Sequence, residues 1–142
     1  RTIFRKITNP VVLKDPKRPL LFKEPVLIAA GWKPGFSTDY DTVLLARRFK
    51  AKTVINLSDT DYVYTQDPKL HKDAKPIKQM SWKEFRRMVG TKWVPGMNFP
   101  FDPLASGLAE KLGLRVVMLK GTDLSNLDDF LAGRKFRGTL IS

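Results

Sequence analysis

The sequence has no cysteine and a single histidine, His71, among its 142 residues. The absence of cysteine excludes a disulfide scaffold, a thiolate metal site and a cysteine nucleophile. One histidine cannot form a histidine metal cluster, and any serine–histidine triad would have to be built on this residue. His71 lies between lysines in a polar stretch, so we expect it to be exposed and not catalytic. We predict no metal site made of protein side chains.

Long hydrophobic runs are also missing, because no apolar stretch approaches the roughly 18 residues that a membrane helix needs. No secretory signal is visible at the front, and the sequence starts with Arg1 rather than Met. We therefore predict a cytoplasmic protein without a membrane partner. We also expect this chain to be a piece of a longer protein.

Acidic side chains are few compared with basic ones: 14 Asp and Glu stand against 26 Lys and Arg, for a net charge of +12. Such an excess favours anionic partners such as nucleotides or nucleic acid and does not define a fold. Hydrophobic residues make up 42% of the chain, which is enough for a packed core, and the length suits one domain.

The front of the chain, residues 1–25, is basic and carries four prolines, which exclude a continuous helix there. Residues 11–13 and 20–22 are predicted to form short edge strands at best. The apolar run 26–30 has the pattern of a buried parallel strand. With a helix capped by Thr38 and Asp41, and a strand at 53–57, it predicts a βαβ unit. We accordingly divide the chain into a leading segment, 1–25, and a domain, 26–142.

The rest of the sequence alternates in the same way and predicts an α/β layered domain. Residues 62–65 and 76–80 are expected to pair as a hairpin. Helices are expected to start at Ser81, near Asp102, and at Thr122 or Asp123, with strands at 115–119 and 138–141. In the helix after Ser81, the apolar face is formed by Trp82, Phe85, Met88 and Val89, and the polar face by Lys83, Arg86 and Arg87.

A glycine-containing stretch between the predicted strand 26–30 and its helix is the first candidate site. Open α/β sheets bind ligands at such a position, where glycines permit close backbone approach and a lysine adds charge. The alternative is a merely structural turn. Asp39 has two interpretations, as a first-turn acid that complements the helix dipole or as a carboxylate facing a ligand. The candidate residues are Gly31, Trp32, Lys33, Pro34, Gly35, Phe36, Ser37, Thr38 and Asp39.

Two further stretches combine polar and aromatic residues. Residues 56–68 mix carboxylates, hydroxyls and aromatic rings as a nucleoside site does, although a polar hairpin with Tyr62 and Tyr64 packed on the sheet is an equal alternative. In residues 96–103, Phe99 and Phe101 are interpreted as core and Asp102 as a helix cap. Trp82 and Trp93 are interpreted as packing residues.

These three stretches, in this order, resemble the carboxyl-terminal half of uridylate kinases in the amino-acid-kinase superfamily. The most specific match is the run from Val54 to Tyr64 that continues to Asp67-Pro68. The glycine loop that leads into Ser37-Thr38-Asp39, residues 73–77, and the closing residues 138–141 also fit. The resemblance covers about residues 26–142.

This resemblance implies a three-layer α/β/α sandwich with a mainly parallel central sheet, incomplete here, and transfer of the ATP γ-phosphoryl group to UMP with Mg²⁺. It implies UMP binding by residues 31–38 and a role for Asp39 in organising catalytic lysines. It further implies a homo-oligomer, commonly a hexamer. On the ATP side it implies contacts from Ser58, Asp61, Tyr64 and Asp67.

The sequence departs from the family pattern at Tyr62, where a glycine is usual, and near Asn98, where some relatives place a lysine. The catalytic lysine and glycine-rich cradle of the family's amino-terminal half have no match, since Lys6 and Lys14 lack that context. We therefore expect weak nucleotide binding and little turnover from this chain. Alternatives are another amino-acid kinase acting on a carboxylate or carbamate, and a basic nucleic-acid-binding module.

Overall fold

The computed structural model describes residues 2–92 and 100–142, and within these ranges the chain forms four helices and six strands. The helices are α1 (Thr38–Arg48), α2 (Trp82–Val89), α3 (Pro103–Lys111) and α4 (Leu124–Leu131). The strands are β1 (Thr53–Ser58), β2 (Val63–Tyr64), β3 (Pro76–Ile77), β4 (Gln79–Met80), β5 (Arg115–Lys120) and β6 (Thr139–Ile141).

The main sheet has the strand order β1-β5-β6-β4. β1 and β5 are parallel over their full lengths, from Thr53 opposite Arg115 to Ser58 opposite Lys120. β4 and β6 are also parallel, whereas β5 and β6 are antiparallel. β2 and β3 form a separate antiparallel hairpin, as predicted for residues 62–65 and the first part of 76–80. Gln79 and Met80, predicted to extend this hairpin, instead pair with β6 in the main sheet. The predicted α/β class with a mainly parallel sheet is confirmed.

The sheet has helices on both faces. α1, α2 and α3 pack on one face, where the core includes Val54 and Val116 of the sheet with Val43, Phe85 and Ala105 of the helices. α4 lies on the other face, the side of Leu140 and of its partner Val117 on β5. This arrangement is the expected three-layer sandwich, with Leu57 of β1 left half-exposed on the α4 side.

The helix starts follow the capping residues in the sequence, with one correction at α1. The cap of α1 is Ser37 rather than Thr38, because the Ser37 hydroxyl accepts the Tyr40 N–H at 3.1 Å. Asp41 does not complete a capping box there; its carboxylate accepts the Trp32 N–H at 2.8 Å instead. Ser81 forms a full capping box with Glu84. Asp102 and Asp123 cap α3 and α4 as predicted.

The predicted strands in the first 30 residues are wrong. Residues 26–30 are not a buried sheet strand: they are partly or fully exposed, and their pairing is limited to isolated bridges from Val26 to Thr8 and from Ala29 to Leu13. The partner segment contains prolines, which cannot donate to a ladder and interrupt continuous pairing. Residues 20–22 form no strand, and Leu21 is 99% exposed. The predicted βαβ unit therefore lacks its first strand.

Two residues of α2 lie differently from the predicted helical faces. Met88, placed on the apolar face, is partly exposed, because it lies toward the loop side rather than over the sheet. Arg86, placed on the solvated face, forms an ion pair with Glu110 of α3, and its Nε is buried. Helix packing against α3 turns this polar position into a contact between the two helices.

Other packing predictions are confirmed. Trp82 is buried and donates its indole N–H to the Leu114 carbonyl at 2.8 Å, Phe101 is buried, and His71 is exposed. Trp93, Asn98 and Phe99 lie outside the described residues. Among the helices of the described ranges, none combines the length and apolar character needed to cross a bilayer.

We predict that Gly138→Ala destabilises the fold, because a Cβ there would lie 2.5 Å from the Met118 carbonyl oxygen and 2.6 Å from Leu119 Cδ2. Overpacking of this kind costs about 1–3 kcal/mol. Gly31→Ala is the matched control, since its Cβ would meet nothing within 4 Å, and its effect should stay within about 0.5 kcal/mol. Urea denaturation of both variants tests this, and equal stabilities would contradict it.

Candidate functional site

The carboxyl end of β1 opens into a cleft of about 230 Å³, here called the first cleft. Parallel strands place their carboxyl ends and following loops at one edge of the sheet, where α/β proteins bind ligands. Three of the four predicted ATP-side residues, Ser58, Tyr64 and Asp67, line this cleft together. The remaining lining residues are Asp59, Thr60, Tyr62, Thr65, Gln66, Pro68, Lys69, Met88, Val89 and Pro100.

Asp61, the fourth predicted residue, does not line the first cleft. Its Oδ2 lies 4.0 Å from Lys120 Nζ, at the end of β5. The carboxylate therefore faces the neighbouring strand. Asp61 thus lies outside the cleft lining but close enough for its charge to act on Tyr64.

An ion pair across the mouth of the first cleft is a feature that sequence reasoning missed. Lys69 Nζ lies 2.7 Å from Asp59 Oδ2, and the two side chains are largely exposed. The pair raises the pKa of Lys69 and lowers that of Asp59. Ten positions separate these residues, and only the turn between β1 and the hairpin brings them together, so no local spacing signals the pair.

Aromatic rings stand beside the carboxylates of this cleft. The Tyr62 and Tyr64 rings meet edge to face, with 6.2 Å between their centroids. Partial burial raises the pKa of Tyr64, and the nearby Asp61 charge adds to this shift. Asp67 Oδ1 accepts the Lys69 N–H at 2.8 Å, which fixes the turn after the hairpin strand. The cleft thus offers a ring face and hydroxyl and carboxylate groups, as a nucleoside requires.

The predicted glycine loop, residues 31–37, leads directly into the amino end of α1. Gly35 has φ +87°, a conformation that favours glycine. Trp32 and Phe36 pack with centroids 5.1 Å apart, and Lys33 Nζ lies 4.2 Å from the centroid of the Trp32 ring. The N–H groups in the first turn of a helix have no partner inside it, so this end of α1 suits an anion.

Asp39 links this loop region to α3. Its Oδ2 accepts the Asp102 N–H at 2.9 Å, at the residue that caps α3. Burial raises the pKa of the Asp39 carboxyl; the Asp102 charge adds to the increase, and the amide hydrogen bond opposes it. The carboxylate is therefore a partly buried acid held between two helix amino ends.

A second hydrogen bond connects the segment that contacts Asp39 to the first cleft. Asn56 of β1 donates its side-chain N–H to the Pro100 carbonyl at 3.3 Å, and Pro100 is part of the cleft lining. Pro100 is also two residues before Asp102. The structure thus connects the glycine loop, Asp39 and the first cleft through consecutive contacts at one end of the sheet.

This architecture is that of an α/β protein with a mainly parallel sheet and its candidate ligand positions at the carboxyl ends of strands. The chain belongs to the amino acid kinase family, whose sequence pattern matches residues 7–120. The match starts inside the leading segment 1–25, and the boundary at residue 26 stays a prediction.

The most similar relatives include uridylate kinases of archaea. The chain is 32% identical over 117 residues to "Uridylate kinase" of Hyperthermus butylicus, covering 82% of this chain and 51% of that protein. It is 31% identical to "Uridylate kinase" of Methanococcus vannielii, with the same coverage. The chain therefore spans about half the length of the curated relatives it matches.

A solved structure supports the same relationship. Uridylate kinase from Archaeoglobus fulgidus matches with a TM-score of 0.78 and 26% identity, over 96% of this chain and 62% of that chain. UMP kinase from Bacillus anthracis matches with a TM-score of 0.68 at 23% identity, which supports the fold. The predicted resemblance to uridylate kinases is confirmed.

We predict that Asp39→Asn raises the melting temperature at pH 7. Because burial raises the Asp39 pKa, the native state binds this proton more tightly than the unfolded state, and stability falls as pH rises through that range. Asparagine keeps an oxygen for the Asp102 N–H without the buried charge. The test is to measure the melting temperatures of the parent protein and of Asp39→Asn across a range of pH. The difference between the two melting temperatures should narrow at acidic pH, where Asp39 is protonated in both the native and the unfolded state.

Asp123→Asn is the control of opposite sign. Hydrogen bonds from Ser125, Asn126 and Arg137 lower the pKa of Asp123, so its charge adds stability at neutral pH that is lost as pH falls through the native pKa. This variant should melt below the parent protein at pH 7. A destabilised Asp39→Asn at pH 7 would contradict our account of Asp39.

Proposed function

We propose that this chain is the nucleotide-binding carboxyl-terminal part of a UMP kinase, which transfers the γ-phosphoryl group of ATP to UMP and forms UDP for pyrimidine nucleotide synthesis. The observation that carries the proposal is the position of Asp39, which lies between the glycine loop and the wall of the first cleft. Relatives named uridylate kinase, about 31% identical over 82% of the chain, support this choice among amino acid kinases.

The first cleft is the proposed ATP site. The Tyr64 ring would contact the adenine, while Ser58 and Asp67 would hold the nucleoside by hydrogen bonds. Asp61, which points to Lys120, would act from outside the cleft by holding the end of β5. The exposed Lys69 is the cationic side chain in the cleft lining of the described residues and would face the phosphates.

The glycine loop is the proposed UMP site. Residues 31–38 combine a glycine turn, the free amides of a helix start, the Ser37 hydroxyl and the Lys33 ammonium group, all suited to a phosphate monoester. The Trp32 and Phe36 rings hold Lys33 by cation–π contacts, with its Nζ 5.6 Å from the Phe36 centroid. These contacts hold the exposed lysine beside the loop.

Phosphoryl transfer depends on positioning and on cations that neutralise the transferring group. Within residues 2–92 and 100–142, no cluster of three or more His, Asp or Glu side chains could hold a metal ion alone. We propose that Mg²⁺ is carried by the phosphates of ATP, since Mg²⁺ commonly binds through phosphates, waters and one or two carboxylates. Asp39 would orient the cationic groups or the Mg²⁺ at the reacting phosphate.

The wider predictions follow from the same proposal. Because the chain spans about half of its relatives, we propose that it binds nucleotides weakly and turns over little without the other half. We propose that the whole protein is a cytoplasmic homo-oligomer and that the expected form is a hexamer. Nucleic acid is not a proposed partner.

We predict that Asp39→Asn and Asp67→Ala each lower UMP phosphorylation by the whole protein at least about 100-fold, because Asp39 would act at the transferring group and Asp67 would position the ATP nucleoside. A coupled assay of ADP release measures this with UMP, CMP, glutamate, aspartate and carbamate as acceptors. UMP should give the highest kcat/KM. Asp128→Asn, at an exposed position outside both candidate sites, is the control and should retain full activity.

Two results would contradict the proposal. Near-parental turnover in both Asp39→Asn and Asp67→Ala would remove these residues from the site. Activity stimulated by glutamate, aspartate or carbamate but not by UMP would assign the chain to a different amino acid kinase. RNA affinity that falls steeply with salt, without nucleotide binding, would indicate a basic nucleic-acid module.

A further inference from the structure

A second, larger groove lies on the α4 side of the sheet, with a volume of about 550 Å³. Its walls come from α4, from the loop before β6, and from the residues around β4. Tyr62 is the residue that it shares with the first cleft. The other lining residues are Lys78, Gln79, Ser125, Asn126, Asp129, Lys135, Phe136, Arg137, Gly138 and Leu140.

The groove has a rigid base, because the loop that forms its wall is fixed at two points. The buried Asn126 side chain donates to the Arg137 carbonyl and accepts the Arg137 N–H, both at 2.7 Å. Gly138 lies so close to β5 that no larger residue fits without displacement. These contacts hold the loop 134–138 against α4 and keep the groove open beside it.

The charges in the groove favour an anion. Lys78 and Lys135 form no ion pair within the described ranges. Arg137 pairs with Asp123 through one guanidinium nitrogen, which leaves further donors. The one carboxylate in the lining, Asp129, already pairs with Arg134 at 2.7 Å. The groove thus presents three cationic side chains and no carboxylate without a cationic partner.

Aromatic surface lies between these cations. Tyr62 and Phe136 both line the groove, and the Phe136 ring packs edge to face on Phe130 with 5.0 Å between their centroids. Ring faces suit a planar heterocycle, and lysine and arginine suit phosphate oxygens. Gln79 and Ser125 add side chains that can hydrogen-bond a base or sugar. The volume lies in the range of small-molecule sites.

We propose that this second groove is a nucleotide-binding site, distinct from the first cleft, that takes a nucleoside di- or triphosphate with its phosphates on Lys78, Lys135 and Arg137 and its base against Tyr62 and Phe136. This site goes beyond the proposed phosphoryl transfer and does not depend on it. The residues that define this groove lie on the α4 side of the sheet. This is the face opposite the one on which α1, α2 and α3 pack.

The test is a titration of the ¹⁵N-labelled 142-residue chain with UTP, and separately with tripolyphosphate, followed by amide NMR. UTP should shift the amides of Gln79, Asn126 and Arg137 as one saturable set. Tripolyphosphate, which has no base, should bind this set at least about tenfold more weakly. The Lys78→Ala/Lys135→Ala double variant should weaken UTP binding at this set at least about tenfold.

The matched control is Lys72→Ala/Lys83→Ala, which removes the same charge from exposed lysines outside both cavities and should change the affinity less than twofold. Asp67→Ala separates the two proposals, because it should abolish the shifts at the first cleft and leave those of the second groove. If the amide signals of the second groove do not shift on addition of UTP, the inference is wrong. The inference is also wrong if the groove binds UTP and tripolyphosphate with equal affinity, or if both double variants lose UTP affinity equally.

Discussion

The hydrogen bond from the Asp102 N–H to the Asp39 carboxylate is the contact on which the arrangement of the candidate site depends. It joins the amino end of α1 to the amino end of α3, and these helices pack on the same face of the sheet. On one side of this bond lies the glycine loop, and on the other lies the segment that reaches Pro100 at the first cleft. Together with the packing of α1 on α3, it sets the position of one candidate nucleotide site relative to the other.

Opposing effects determine the pKa of the Asp39 carboxyl. Helix amino ends and a backbone amide favour its charged form, whereas burial and the neighbouring Asp102 favour the neutral form, and the net effect is a raised pKa. A residue that serves packing alone gains nothing from such a buried charge. A residue that contacts a cation or a metal-bound phosphate does gain from a buried charge, because the ligand supplies the missing positive charge.

The sequence was most informative where structure is local. The caps at Ser81, Asp102 and Asp123 and the strands β1 and β5 all follow from residues within a few positions of each other. Ser58, Tyr64 and Asp67 lie in one short stretch after a strand, and the resemblance to uridylate kinases implied them as ATP contacts. A single connected motif thus predicted most of the first cleft.

Contacts between distant segments were not predictable from these patterns. The apolar run 26–30 has the composition of a buried strand, yet its partner is a proline-containing segment that allows only isolated bridges. The Arg86–Glu110 pair, the Asp59–Lys69 pair and the bond from Trp32 to Asp41 each depend on how separate elements pack. The second groove likewise combines α4 with β4 and the turn at Tyr62.

The central claim is that two nucleotide positions converge at this end of the sheet. A crystal structure of the whole protein with UMP and a non-hydrolysable ATP analogue tests it most directly. The account predicts the adenosine in the first cleft beside Ser58, Tyr64 and Asp67, the UMP phosphate at residues 31–38, and Asp39 facing the phosphates between them. Nucleotides bound away from both positions, or a UMP that does not contact the glycine loop, would contradict it.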